Sequence, residues 1–245
     1  MSSGVLSTNN LSINFMEVKA VDGLTVSFPA GVATGLVGPN GCGKTTLFNL
    51  ISGVLTPTNG KIIIRNQEFD QINPKDLRKL KITRTFQDCR LINQLSVEDN
   101  IMLAISKTGI IDSLFEIGTG DYEEFLCQIL KTIDLEHKRN EKAENLSYGQ
   151  RKLLEIGRAL ASNADIYLLD EPFSGLFPEI VERIKSIISE LKNKNKTIIL
   201  VEHNISIIKE ICDKVVVMDA GKLLMKGNPE TVFNDEKVKH AYLGE

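Results

Sequence analysis

The sequence predicts an α/β fold: a mainly parallel sheet, an antiparallel β region beside it, and a group of helices inserted between the two halves of the core. Three observations carry that expectation. Apolar runs of strand length at Val32–Val37, Ile166–Leu169 and Thr197–Val201 suit strands covered on both faces, as in a parallel sheet. A glycine-rich loop, Gly38–Thr46, joins the first of these runs to a helical segment, Leu47–Ile51. Short segments of strand character stand on either side of that unit, while the pattern from about 88 to 160 turns helical.

Taken in order, residues 6–28 hold alternating segments, and Leu24–Phe28 reads as one half-buried strand. Pro29-Ala30-Gly31 is a turn. Asn59-Gly60 is a hairpin turn signal ahead of a strand at Lys61–Arg65. Thr108 to Gly120 reads as a looser connection. Tyr122, Phe125, Leu126, Ile129, Leu130 and Ile133 then make one apolar helical stripe. Ser147 and Gln150 have the spacing of a capping box that opens a helix running through Leu160. Ile180, Val181, Ile184, Ile187, Ile188 and Leu191 mark another one-faced helix. The run Lys192–Lys196 is its solvated end. Val215–Met218 and Lys222–Met225 form a hairpin around Asp219-Ala220-Gly221, and Pro229 starts a short final helix.

Composition narrows the classes. A chain of 245 residues, 42% apolar and 25% charged, fits one globular α/β domain with a small subdomain. A net charge of −3 offers no basic footprint for nucleic acid. No apolar run approaches the ~20 residues of a membrane-spanning helix, and Met1–Gly4 lacks the basic start of a signal peptide. Cys42, Cys89, Cys127 and Cys212 are scattered, so neither a zinc site nor a disulfide framework is expected, and a reducing compartment is the default.

The loop carries the chemistry. Gly38-Pro39-Asn40-Gly41-Cys42-Gly43-Lys44-Thr45-Thr46 fits G-x-x-x-x-G-K-[ST], the phosphate-binding P-loop, in the strand–loop–helix setting that motif requires. Backbone N–H groups and the helix N-terminus face an anion, Lys44 reaches the β- and γ-phosphates, and the Thr45 hydroxyl suits Mg²⁺. Asp170 and Glu171, at the end of a buried strand, match the acidic metal position of such proteins: Asp170 for Mg²⁺, Glu171 for the attacking water. A solvated strand end is the competing reading. Glu202-His203 ends another strand, where His203 serves a γ-phosphate or water, or is simply a surface histidine. Ser147, with the Gly149 backbone, either forms a second anion site or only caps its helix.

Together the motifs resemble one family over nearly the whole chain: the ATP-binding subunits of ABC transporters. Walker A is 38–46, the Q-loop Thr85-Phe86-Gln87, the signature Leu146-Ser147-Tyr148-Gly149-Gln150, Walker B Ile166–Glu171, and the switch histidine His203, in the right order. The resemblance implies the ABC ATPase fold: a P-loop NTPase core (residues 1–87 and 161–245) with an antiparallel β subdomain and a helical subdomain at about 88–160. It implies ATP and Mg²⁺ as cofactors, with Gln87 sensing metal or water, and Gln150 and its neighbours meeting nucleotide. It puts Phe15 where an aromatic ring stacks on adenine, although Phe15 could also be plain core. It implies a second ATP-binding subunit, identical or related, whose signature corner completes the phosphate site. It implies a membrane permease met by Asp88–Asp99, and a place on the cytoplasmic face of the membrane.

Arg84-Thr85-Phe86-Gln87, the Tyr148 form of the signature, and the ending Ala241–Glu245 resemble branched-chain amino-acid importers, with urea importers and lipopolysaccharide exporters sharing parts of the pattern. Phe177 departs from the family, which usually has Asp there. A small-molecule P-loop kinase leaves the signature and His203 unexplained. A DNA-acting ABC-type ATPase needs an insertion longer than the gap between Gln87 and Ser147, and the ribosomal kind generally carries two P-loops.

Overall fold

The computed structural model describes residues 5–106 and 119–243. Its larger sheet has six strands: β4 (Ala33–Val37), β7 (Ile82–Arg84), β8 (Ile166–Asp170), β9 (Thr197–Val201), β10 (Lys214–Asp219) and β11 (Lys222–Gly227), in the order β11-β10-β4-β9-β8-β7. All neighbours are parallel except the β10–β11 hairpin. The smaller sheet is antiparallel: β1 (Leu6–Phe15) pairs with β2 (Val18–Leu24), β3 (Ser27–Phe28) and β5 (Asn59–Ile64), and β5 pairs with β6 (Gln67–Phe69).

The two-residue side-chain period of the strands divides the interior into two cores. Leu36, Leu168, Ile199 and Val216 face α1 (Lys44–Ile51) and the antiparallel sheet. Val37, Leu169, Leu200 and Val217 face the opposite way. There they meet α2 (Val97–Ser106), α3 (Thr119–Thr132), α4 (Tyr148–Ala161), α5 (Pro178–Asn193) and α6 (Ile205–Ile211). Every residue of β4, β8 and β9 is buried, as their continuous apolar runs require. The chain ends in α7 (Pro229–Asn234), started by Pro229, and α8 (Glu236–Leu243).

Several local expectations need correction. Leu24–Phe28 does alternate in burial, but Thr25 and Val26 leave the ladder. The buried Thr8 hydroxyl intervenes, donating to Leu24 O (2.8 Å) and accepting from Val26 N–H (3.2 Å). Asn59-Gly60 is no hairpin turn; it opens β5, with Asn59 paired to Ser12 across an irregularity in β1. The hairpin turn is Arg65-Asn66, both at positive φ (48° and 68°), joining Ile64 to Gln67 as a two-residue loop of type I′ sign. Lys192 and Lys196 are engaged: Lys192 pairs with Asp213 (2.8 Å) and Lys196 with Asp165 (2.9 Å). Thr119 and Gly120 already belong to α3, and the rest of the expected Thr108–Gly120 connection lies outside the described residues, as do Met1–Gly4 and the terminal Gly244 and Glu245.

Replacing Thr8 by Val is expected to leave the Val26 N–H and Leu24 carbonyl short of a buried partner, at a cost of about 1–3 kcal/mol. Urea unfolding checks this: the midpoint should fall with the slope unchanged.

Candidate functional site

Four adjacent parallel strands, β4, β9, β8 and β7, end at one edge of the sheet, and each delivers a sequence-predicted group there. β4 runs into the P-loop, β8 ends at Asp170 with Glu171 next, β9 leads to Glu202-His203, and β7 leads through Thr85 to Gln87. The carboxyl edge is where open α/β sheets present ligand-binding groups.

The P-loop is held from several sides. Gly43 caps α1 at φ 105°, and a Cβ there would come within 2.3 Å of Ala20 O, so glycine alone fits. Gly221 N–H donates to Cys42 O (3.1 Å), and Asp22 N–H to Gly221 O (2.9 Å), tying the loop to the β10–β11 turn and to β2. The buried Lys44 ammonium donates to Gly38 O (2.8 Å) and Pro39 O (2.9 Å) and lies 3.6 Å from Cys42 Sγ. It therefore closes its own loop, and its reach to phosphate requires exchanging those carbonyls for phosphate oxygens. Burial pushes the Cys42 thiol up, against the pull of the Lys44 charge. Asn40, Gly41 and Thr45 are exposed, and Thr46 is half-buried.

Glu171 gathers two of the predicted groups. Its Oε2 accepts from Gln87 Nε2 (3.3 Å), and its Oε1 lies 3.2 Å from His203 Nε2. Its own backbone is left-handed (φ 47°), held by Glu171 N–H donating to Val201 O (3.0 Å). A non-glycine residue in that region stores strain, which recurs at functional sites. The adjacent Glu202 carboxylate is buried and accepts from the backbone N–H of Phe173 (3.0 Å) and His203 (3.1 Å). Burial pushes its pKa up, while those hydrogen bonds pull it down.

Asp170 is not a solvated strand end. Its side chain is 5% exposed and pairs through Oδ2 with Arg84 Nη2 (3.1 Å). Burial pushes the carboxyl up, and the Arg84 hydrogen bond and charge hold it down. Arg84 also donates from Nη1 to Asn49 Oδ1 (2.7 Å) and Ser52 Oγ (2.8 Å) at the end of α1, and it sits over the Phe48 and Phe86 rings. It thus fastens the strand that bears Asp170 to the helix that bears Lys44. Oxygen donors suit Mg²⁺ held largely by substrate phosphates, and the exposed Thr45 hydroxyl and the second Asp170 oxygen are of that kind.

The signature corner stands apart. Ser147 Oγ accepts from Gln150 N–H (3.3 Å), while Gln150 Oε1 accepts from Ser147 N–H (3.0 Å), a complete capping box. Ser147 and Tyr148 are exposed, Gly149 and Gln150 half-buried. A Cβ on Gly149 would meet Ile180 of α5 at 3.1 Å, so a packing reason for this glycine exists beside any ligand. Among the described residues no hydrogen bond joins this corner to residues 38–46. Phe15 is 45% exposed at the end of β1, which removes the plain-core reading. Phe177 is 77% exposed before α5.

Arg84, Glu202, Lys152 and Glu155 are buried charged residues whose part in building this edge the motifs did not announce. Next to Gln87 lies a cavity of about 530 Å³ lined by Arg78, Lys81, Arg84, Arg90 and Arg158 against a single carboxylate, Glu155. Arg90 stacks on Phe86 at 3.6 Å, and the Nε atoms of Arg84 and Arg158 are buried without a hydrogen-bond partner.

The chain is similar to known proteins over nearly its whole length. The family model described as "ABC transporter" matches residues 21–174. The chain is 34% identical to the high-affinity branched-chain amino acid transport ATP-binding protein LivG of Escherichia coli (strain K12), over 100% of both chains. It is 31% identical to the lipopolysaccharide export system ATP-binding protein LptB of Haemophilus influenzae, over 98% of both. Among solved structures, the ADP conformation of an ATP-binding cassette of an ABC transporter superposes with a TM-score of 0.86 at 34% identity, covering 100% of each chain.

Arg84→Met is expected to leave the Asp170 carboxylate buried and unpaired, lowering stability by about 3–5 kcal/mol. Thermal unfolding reads the loss. An unchanged melting temperature would show that the pair does not hold β8 to α1.

Proposed function

Because the chain belongs to the ABC transporter family, and is an ATPase of it, we propose that it is the ATP-binding subunit of a branched-chain amino-acid importer, completing its two ATP sites by pairing head to tail with a second such subunit. The observation that carries the pairing is the separation just described. Ser147 and Tyr148 are exposed at the capped N-terminus of α4, while the P-loop lies elsewhere on the chain with Lys44 as its one buried cation. A partner's corner supplies the missing donors to the γ-phosphate. Phe15 supplies a ring face for adenine.

The hydrolysis roles follow from the hydrogen bonds. Glu171 accepts the proton of the attacking water as its oxygen bonds to the γ-phosphorus and the bond to the β–γ bridging oxygen breaks. Gln87 and His203 hold that carboxylate and line the water's approach. Thr45 and Asp170 would hold Mg²⁺, which neutralises phosphate charge when bound. ATP binds the closed pair better than the open one, so binding closes it and hydrolysis releases it.

The permease docks beside Gln87, on Asp88–Asp99 and the neighbouring cationic cavity, which places the subunit peripherally on the cytoplasmic face of the membrane. What supports this is the excess of positive charge there and the direct line through Gln87 to Glu171. No described helix is long and apolar enough to cross a membrane. Amino-acid import is favoured by the LivG relative, matched end to end, and by the importer-like Arg84–Gln87 and signature segments.

Glu171→Gln is expected to keep ATP affinity, slow hydrolysis by about 10²–10⁴-fold, and accumulate an ATP-bound dimer by size-exclusion chromatography. A mixture of Ser147→Arg and Lys44→Ala subunits should regain part of the activity each lacks alone, since one intact site can still assemble; no recovery would refute sharing between subunits. Reconstituted with its permease in vesicles, the chain should drive uptake of labelled leucine, and stimulation by lipopolysaccharide instead would favour the export reading.

A further inference from the structure

We propose that Lys152 and Glu155 of α4 are positioning residues for Gln87: together they fasten the Phe86–Gln87 backbone to the signature helix and so set where the Gln87 amide meets Glu171. This rests on the hydrolysis roles assigned above, and it operates within one chain.

Beyond β7 the chain loses its sheet partner. Thr85 N–H donates to Leu168 O (2.9 Å), and among the described residues neither Phe86 nor Gln87 makes a backbone–backbone hydrogen bond after it. Two side chains of α4 take over that role. Lys152 Nζ donates to Phe86 O (2.9 Å) and Gln87 O (3.1 Å), and its remaining contact is Glu155 Oε2 (3.3 Å). Glu155 Oε1 accepts from Phe86 N–H (3.0 Å). Both backbone groups of Phe86 are therefore engaged by one turn of helix, and the three donors of the ammonium are all used.

The arrangement is a costly way to fill space. The Lys152 and Glu155 side chains are 1% and 6% exposed. Buried ion pairs of this kind are often matched or bettered in stability by apolar residues of similar volume. The same helix already buries Leu153, Leu154 and Ile156, so the core does not need the charges to be occupied. What the charges provide is direction, since a single ammonium bound to two successive carbonyls fixes the course of the peptide between them. The Gln87 side chain leaves that peptide for Glu171 Oε2. The same helix presents Ser147 at its N-cap, so the Glu171 contact and the signature corner are carried by one rigid piece.

The test uses the intact chain and a volume-matched double variant, Lys152→Met with Glu155→Leu. Three quantities are read: the unfolding midpoint, trinitrophenyl-ATP affinity, and steady-state kcat and KM for ATP. The expected result is an affinity and KM near those of the wild type, a lower midpoint because Phe86 N–H and the Phe86 and Gln87 carbonyls lose their side-chain partners, and kcat lower by about 10–10²-fold, the scale of a misplacement near 1 Å. In a Gln87→Ala background the same pair should change kcat by no more than about twofold, because the route through Gln87 is already cut. An undiminished kcat in the double variant, or a full additional loss in the Gln87→Ala background, overturns the proposal. If the double variant does not fold, the cycle is run with Lys152→Gln, which keeps a donor but neither the charge nor the reach; the same non-additive fall in kcat is expected, and additivity again overturns it. Wild-type turnover that survives Glu171→Gln would instead sink the hydrolysis roles, so the two failures are distinguishable.

Discussion

Double-sided burial of the parallel sheet is the constraint on which the site depends. β4, β8 and β9 have no exposed residue, so their register is locked from both faces and a one-residue slip would exchange the two cores. That locking puts the ends of four strands in line. The P-loop, Asp170-Glu171, Glu202-His203 and Gln87 then project from a single edge without any loop having to be long.

Buried charge does the remaining alignment. Arg84 links β8 to α1, Glu202 gathers backbone N–H groups beside His203, and Lys44 closes the loop that it also serves. None of these is an economical way to gain stability, because each charge must first be removed from water. Each does define an orientation, and orientation is what a hydrolytic site needs most.

Much of this was legible in the sequence, for identifiable reasons. Continuous apolar runs gave β4, β8 and β9, and the Ser147–Gln150 spacing gave a real capping box, since both signals are local and reflect backbone needs. Asn59-Gly60 misled because a dipeptide with strong turn preference was absorbed into a strand, opposite an irregular β1. The actual turn, Arg65-Asn66, lacks glycine and so carries a weaker signal. Arg84 entered only as part of the importer-like Arg84–Gln87 segment, with no structural role read from it. Its signal was the two-residue period: it shares a face with Ile82 and Phe86, so it had to be buried or the strand misread. Lys152 and Glu155 are separated by one helical turn and stand among buried leucines, the same kind of clue at helical spacing. The sequence left Ser147 with two readings, a cap or an anion site, and the structure shows the cap in full.

The left-handed backbone of Glu171 has an evolutionary implication. A residue held there carries a penalty on the order of 1–3 kcal/mol, which glycine would escape. Heat resistance and turnover thus pull this codon in opposite directions. Libraries screened only for survival of heating should enrich glycine at this site and lose catalysis as they do so, whereas populations held to growth on scarce nutrient should retain the carboxylate and accept the lower tolerance; sequencing both populations would expose the conflict.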